Sequence, residues 1–176
     1  MLLTFERDTT STVLRDAERD LDALLVEDLL FAPEVREWLI GRVLGRGIEI
    51  EGLQAHAIRR PARDDNGLDI AVEVTAGGQP FTIRIANRLL PRPRQARTAE
   101  TSRAEGAPII LLRPECASPR CADIDPHFDA VMTHDAYAQL LSARASTEGG
   151  EIGQRLLYRA GKVERAIEGA ARAMRT

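Results

Sequence analysis

The chain has 176 residues, 44% of them hydrophobic and 29% charged, a composition that excludes a disordered, collagen-like or disulfide-scaffold protein. A formal net charge of −3 excludes a strongly basic protein that holds nucleic acid by bulk charge alone. No apolar run approaches the roughly 20 residues that cross a bilayer, and the first residues, MLLTFERDTT, are charged too early for the core of a signal peptide. We therefore expect one cytoplasmic domain over residues 1–176, with no membrane span.

Two amphipathic helices are predicted at the start of the chain. The first covers about Arg15 to Leu30, where leucines recur at three- and four-residue steps and charged residues fill the other faces. Pro33 fits the first position of the second helix, and Gly45 and Gly47 end it. Each helix therefore has one face suited to a core.

A strand, a hairpin and a crossover are predicted next. The strand-like stretch around Leu53 to Ile58 precedes a hairpin whose arms read LDIAVEVT and FTIRIANRL, joined by the glycine-containing turn AGGQP. Apolar and polar residues alternate in both arms, which is typical of half-buried strands. An arginine-rich, helix-compatible stretch from about Arg94 to Glu105 leads into the apolar run IILL, so this order indicates a right-handed crossover between parallel strands.

The last third of the chain is predicted to contain one strand and two helices. After an irregular loop, Phe128 to Met132 reads as a strand and Thr133 as the N-cap of a short helix to Leu141. The stretch SARASTEGG resembles a linker, and an amphipathic helix covers about 151–175. The predicted fold class is therefore α/β, with a central mixed sheet and helices at both ends of the chain.

The hairpin carries the residues that indicate chemistry. Asp69 opens its first arm directly after an Asn-Gly turn, and a carboxylate at such a position can bind the Mg²⁺ of a metal-dependent nuclease or can cap the turn. On the second arm, strand alternation places Arg84, Ala86 and Arg88 on one face, opposite to Asn87. Both interpretations of Asp69 remain open at this point.

The order of these segments resembles compact bacterial members of the PD-(D/E)XK nuclease superfamily. The resemblance rests on ERDLDALLVEDL, GLDIAVEV, IANRL and PRPRQAR, and it extends from about Glu18 to the helix RLLYRAGKVERAIEGA. It implies a restriction-endonuclease-like fold in a single domain, with a central mixed sheet flanked by helices. It also implies Mg²⁺-dependent hydrolysis of phosphodiester bonds in nucleic acid.

The resemblance assigns roles to four residues of this chain. Asp69 matches the metal-binding Asp of the family, and Gln95 matches a Gln of the helix that follows the motif strand. Glu27 is the better match for an acid of the first helix that also binds the metal, with Asp28 as the second choice. A solvated helix face is the alternative for both acids of the first helix.

The chain departs from the family at the motif itself. The second strand of the family usually reads like IENKI, and here it reads IANRL, so Ala86 replaces the metal-binding Glu and Arg88 replaces the catalytic Lys. An alanine cannot hold a cation, whereas Arg88 keeps a positive charge that can stabilise a phosphate but cannot act as a neutral base. Asp69 and Glu27 would then form a weak Mg²⁺ site, with Asp69, Arg88 and Gln95 as the catalytic residues.

Two functions follow from this pattern. One is a divergent nuclease with a degraded metal site, in which Arg84, Arg92, Arg94 and Arg97 contact DNA or RNA phosphates. The other is an inactive pseudo-nuclease that binds nucleic acid, a protein partner or a second copy of the chain. The same arginines can equally be surface residues of a chain in which Lys162 is the only lysine.

Overall fold

The computed structural model describes residues 4–45, 49–57, 70–89, 106–115 and 123–173. These residues form four α-helices and five β-strands. The helices are α1 (Thr4–Phe31), α2 (Pro33–Leu44), α3 (His134–Glu148) and α4 (Gly150–Ala173). The strands are β1 (Ile50–Ala57), β2 (Ile70–Ala76), β3 (Gln79–Asn87), β4 (Ile109–Arg113) and β5 (Ala130–Thr133).

The five strands form one mixed sheet in the order β1-β2-β3-β4-β5. Strand β2 runs antiparallel to both of its neighbours, whereas β3, β4 and β5 run parallel to one another. The predicted α/β class with a central mixed sheet is therefore confirmed. The order and directions of the strands are consistent with a restriction-endonuclease-like arrangement.

The hairpin formed by β2 and β3 matches its prediction closely. Gly77 and Gly78 have φ angles of 56° and 71°, as a two-residue type I′ turn requires at both central positions. The resulting register pairs Val72 with Ile83, and both side chains are buried. The alternation of apolar residues in both arms thus indicates the face of the sheet that lies against the core.

Two apolar clusters lie on opposite sides of β3, the strand that contains IAN of the segment IANRL. Ile83 and Ile85 belong to the larger cluster, which all four helices also enter. Ala86 points to the other side, into a small cluster whose members come mainly from β4 and from the segment before β5. The members of this small cluster are Ala86, Ile109, Leu111, Ile124 and Phe128.

The first helix and the last strand differ from their predicted bounds. Helix α1 begins at Thr4. The prediction began at about Arg15, because the first part of the helix lacks the apolar periodicity on which the prediction depends. Strand β5 begins at Ala130 instead of Phe128. The backbone N–H of Phe128 closes a 3₁₀ turn by donating to Asp125, and its side chain is buried in the small cluster.

The predicted linker SARASTEGG is wrong, since most of it is helical. Helix α3 continues to Glu148 instead of ending at Leu141, and Ala145 within it is buried. The break falls at Gly149 and Gly150, which both have positive φ, and α4 begins there. Helix α4 approaches α3 closely just after this break, since a Cβ on Gly153 would lie 2.7 Å from the carbonyl oxygen of Ala145.

Candidate functional site

The motif strand β3 lies in the middle of the sheet, between β2 and β4. Ile70, the first residue of β2, pairs with Ile85, and Ala86 pairs with Leu111 of β4. Asp69 directly precedes Ile70 in the chain but lies outside the described residues. The segment IANRL therefore ends a strand in the middle of the sheet, next to the strand that Asp69 precedes.

The side chain of Ala86 is surrounded by hydrocarbon. It is buried and packs with Ile109 and Leu111 of the neighbouring strand and with Ile124 and Phe128. A methyl group in such a cluster offers no oxygen or nitrogen to a cation. This position therefore contributes packing and no metal ligand.

Arg88 is buried at the end of the same strand. Its Nη1 donates to the carbonyl oxygen of Asn87 at 3.0 Å, and its backbone N–H donates to Leu112 O at 2.8 Å. Burial raises the pKa of the carboxyl of Asp22, on α1, and the positive charge of Arg88 partly opposes this rise. Arg88 is thus integrated into the protein interior instead of facing solvent.

A chain of three buried polar side chains links α1, β3 and α3. The Nδ2 of Asn87 donates to Asp22 Oδ1 at 2.7 Å, and the Oδ1 of Asn87 lies 2.6 Å from His134 Nε2. Because the amide donates to Asp22, its oxygen accepts from the imidazole, so the proton of His134 is on Nε2. The other nitrogen, Nδ1, is buried without a hydrogen-bond partner among the described residues. We call this chain, Asp22–Asn87–His134, the buried relay.

Burial shifts both ends of the buried relay toward their neutral forms. Desolvation raises the pKa of Asp22 from 3.8 to about 7, while the hydrogen bond from Asn87 and the charge of Arg88 oppose the shift. Desolvation lowers the pKa of His134 from 6.5 to about 3, against the opposing charge of Asp135. At neutral pH the imidazole is therefore uncharged, and the carboxyl of Asp22 is close to its midpoint.

Among the described side chains of α1, the acids that contact β3 or the residues just after it are Glu18 and Asp22. Glu18 Oε1 accepts from the backbone N–H of Leu89 at 2.9 Å, just after the end of β3. Glu27, the predicted metal ligand, instead lies 3.1 Å from Arg159 of α4, and its side chain is 57% exposed. Its contact is therefore with the C-terminal helix and not with β3.

Asp28, the second choice, also faces the C-terminal helices. Its Oδ1 lies 2.7 Å from Arg159 Nη2, and its Oδ2 accepts from the hydroxyl of Tyr137 on α3. Tyr137 stacks on Trp38 of α2 at a centroid distance of 5.9 Å. We call the residues Glu27, Asp28, Arg159 and Tyr137 the helix-bundle ion cluster.

The remaining predicted site residues fall on two parts of the chain. Arg84 is half-buried on β3, where its backbone N–H donates to Pro108 O at 2.9 Å. The other four, Arg92, Arg94, Gln95 and Arg97, lie outside the described residues, as does the helix predicted over about 94–105. Their roles stay predictions.

Within the described ranges, no three His, Cys, Asp or Glu residues come together as a metal centre would require.

Sequence reasoning did not identify the buried relay, although one signal for it exists. Asp22 occupies the same stripe of α1 as Leu25 and Leu29, three and seven residues later, so a carboxylate stands where the helical period expects an apolar residue. A polar residue in an apolar stripe indicates a buried partner. That signal predicts burial but does not identify Asn87 or His134 as the partners.

Comparison with protein-family models, curated proteins and solved structures finds no match to this chain. In the part of the chain that the structure describes, every helix is too short or too polar to cross a membrane.

Proposed function

We propose that this protein is a catalytically inactive relative of the PD-(D/E)XK nucleases and that it acts as a binding module. The observation that carries the proposal is the burial of Ala86 in an apolar cluster, at the position that the resemblance assigns to the metal-binding Glu. The strand order supports the relationship, and the packing around Ala86 supports the loss of catalysis.

The described residues do not fit a Mg²⁺ site. Mg²⁺ is usually held through one or two carboxylates in near-octahedral geometry, and Ala86 supplies none. Glu27, the second ligand that the sequence suggests, forms an ion pair with Arg159. Asp69 alone would leave a weakly bound ion, so no catalytic step follows from this set of residues.

The surroundings of the motif strand also fit a structural role. Asn87 stands between the two altered motif positions, and its amide joins α1 to α3 through the buried relay. The guanidinium of Arg88 donates to the carbonyl oxygen of Asn87, at the end of the same strand. These residues stabilise the fold without presenting reactive groups to solvent.

A cleavage assay tests the proposal. Labelled duplex DNA, single-stranded DNA and RNA are incubated with the purified protein in Mg²⁺ and then in Mn²⁺, beside an Asp69→Ala variant purified in the same way. We expect no cleavage beyond that of the variant, because a contaminating nuclease would act in both samples. Metal-dependent cleavage by the wild type that is lost in Asp69→Ala would overturn the proposal.

A further inference from the structure

A groove of about 460 Å³ runs between α1 and α4, on the helical side of the molecule. This volume is within the range of ligand-binding clefts. Leu24 contributes to it from α1, and the ring of Tyr158, which is 62% exposed, contributes from α4. We call this region the α1–α4 groove and define it by Leu24, Glu27, Arg155, Tyr158, Arg159 and Lys162.

Most charges in the α1–α4 groove are already paired. Arg159 binds the carboxylates of Glu27 and Asp28, and Arg155 lies 2.6 Å from Glu151 on its own helix. The ammonium of Lys162 instead lies 5.5 Å above the ring of Tyr158 and has no carboxylate partner among the described residues. An uncompensated positive charge therefore stands beside an exposed aromatic ring.

Most exposed positive charges of α4 lie on one side of the helix, together with Glu151, whose carboxylate is paired with Arg155. At 100° per residue, the basic residues Arg155, Lys162 and Arg165 fall with Tyr158 within an arc of about 80°. Glu164 and Glu168 project from the opposite side of the exposed surface. The guanidinium of Arg165 lies over Gly161, where a Cβ would be 3.2 Å from Nη1. This basic strip continues the α1–α4 groove along the helix.

The chemistry of the groove favours a peptide over a nucleic acid backbone. The carboxylates of Glu27 and Glu151 stand at the rim with exposed fractions of 57% and 77%, and a nucleic acid strand, which carries a phosphate at every residue, would place negative charge beside them. An acidic peptide can place single carboxylates near Lys162 and Arg165. It can also place an apolar side chain against Tyr158, the kind of residue that dominates binding at protein interfaces.

We propose that the α1–α4 groove binds an acidic segment of a partner protein, which pairs its carboxylates with Lys162 and Arg165 and packs an apolar side chain on Tyr158 and Leu24. The inference rests on the proposed binding function and names its surface and the class of its partner. It does not use the motif strand.

Fluorescence anisotropy with labelled peptides tests this surface. The probes are fluorescein-labelled peptides that carry two glutamates beside a leucine or a phenylalanine in an otherwise uncharged sequence, and the control probes carry glutamine in place of glutamate. We expect Lys162→Glu and Tyr158→Ala each to weaken binding by about tenfold or more, because each removes a central contact. Arg42→Glu, the same change of charge at an exposed site on α2, should leave the affinity within about twofold.

Five results would overturn the inference. The first is a dissociation constant above about 1 mM for every acidic probe. The second is equal affinity for the glutamine and glutamate probes, and the third is a loss of affinity in Arg42→Glu equal to that in Lys162→Glu. The fourth is tighter binding of labelled single-stranded DNA that the same variants abolish. A dimer seen by light scattering that Tyr158→Ala dissociates would likewise replace the partner protein with a second copy of the chain.

The failure of this inference is distinguishable from the failure of the proposed function. Asp69-dependent cleavage together with peptide binding that requires Lys162 and Tyr158 would overturn the inactivity and keep the groove. Absence of both cleavage and peptide binding would keep the inactivity and overturn the groove.

Discussion

Helix α1 is attached to the rest of the protein by two pairs of acids that are compensated in different ways. Asp22, beside Glu18, accepts from the uncharged amide of Asn87 within the buried relay. Asp28, beside Glu27, lies against the guanidinium of Arg159 and the hydroxyl of Tyr137 in the helix-bundle ion cluster. Burial raises the pKa of both aspartates; the charge of Arg88 opposes this rise at Asp22, and the guanidinium of Arg159 contacts Asp28 directly.

This difference separates two means of burying a carboxyl group. Asp22 can take up a proton near neutral pH and keep its hydrogen bond, so the contact with β3 can persist without charge. The contact of Asp28 with α4 depends on a charge pair, and removal of the cation leaves an anion in a buried position. We therefore expect larger energetic effects in the helix-bundle ion cluster and stronger pH effects in the buried relay.

Arg159→Ala should have the largest effect on stability. It removes the cation from Asp28 and Glu27, and breaking a buried pair in this way costs about 3–5 kcal/mol of unfolding free energy. Urea unfolding followed by far-ultraviolet circular dichroism measures the change. Arg155→Ala, which breaks the exposed pair with Glu151, should cost about 0.5 kcal/mol or less. Equal losses in the two variants would contradict the comparison.

Asn87→Ala should have the next largest effect. It leaves the buried carboxyl of Asp22 and the buried Nε2 of His134 without their shared partner, which costs about 2–3 kcal/mol in unfolding free energy. Thr82→Ala, at an exposed site on the same strand, is the matched control and should change stability by about 0.5 kcal/mol or less. A loss for Asn87→Ala no larger than that of the control would show that the buried relay contributes little.

Asp22→Asn should change the dependence of stability on pH. Because the pKa of Asp22 is raised from 3.8 to about 7 on folding, its stabilising effect is complete below pH 3.8 and is lost as the pH rises through 7. The unfolding free energy of the wild type relative to Asp22→Asn should therefore fall by up to ~1.4 kcal/mol per pH unit between these values. Urea unfolding at several pH values measures the slope, and a difference that is independent of pH would contradict the account.

His134→Gln should give a slope of the opposite sign. The pKa of His134 falls from 6.5 to about 3 on folding, so its stabilising effect is complete above pH 6.5 and is lost as the pH falls toward 3. The wild type should gain up to ~1.4 kcal/mol per pH unit relative to the variant as the pH rises from 3 to 6.5. The two ends of the buried relay thus offset each other in the wild type, and slopes of the same sign in both variants would refute this offset.

Tyr137→Phe should have the smallest effect. It deletes the hydroxyl that donates to Asp28 but keeps the ring against Trp38 and leaves Arg159 in place. The expected loss of unfolding free energy is about 1 kcal/mol, and it should be smaller than that of Arg159→Ala. A larger loss than that of Arg159→Ala would mean that the hydroxyl, and not the cation, holds Asp28 in place.

The elements of this fold were predictable where periodicity or turn chemistry acts locally. The hairpin around Gly77 and Gly78 and the long helix α4 follow from spacing along a few neighbouring residues. The helical conformation of most of SARASTEGG was not predicted, because Ala145 is its one buried residue and gives no apolar period, and the close approach of Gly153 to Ala145 is a contact between two helices. Local sequence patterns do not contain that contact.

The candidate site was predictable only in its strand position. The segment IANRL forms the end of the second hairpin strand, as its alternation predicts, but the partners of Asn87 are 65 and 47 residues away in the chain. The choice of Glu27 required knowledge of which way α1 is rotated on the sheet, and the structure turns Glu18 and Asp22 toward β3 instead. Spacing along one helix does not determine that rotation.

The most direct test of the central claim is thermal unfolding, with and without Mn²⁺, of the wild type and of the double variant Ala86→Glu, Arg88→Lys. The variant restores the family motif but places a carboxyl in the apolar cluster, so without metal its Tm should be lower than that of the wild type. We predict that Mn²⁺ raises the Tm of the variant, that Asp69→Ala abolishes the rise, and that the wild type does not respond. A rise in the Tm of the wild type that requires Asp69 would contradict the account, and a variant that Mn²⁺ does not stabilise would show that IANRL is not a former metal-binding motif.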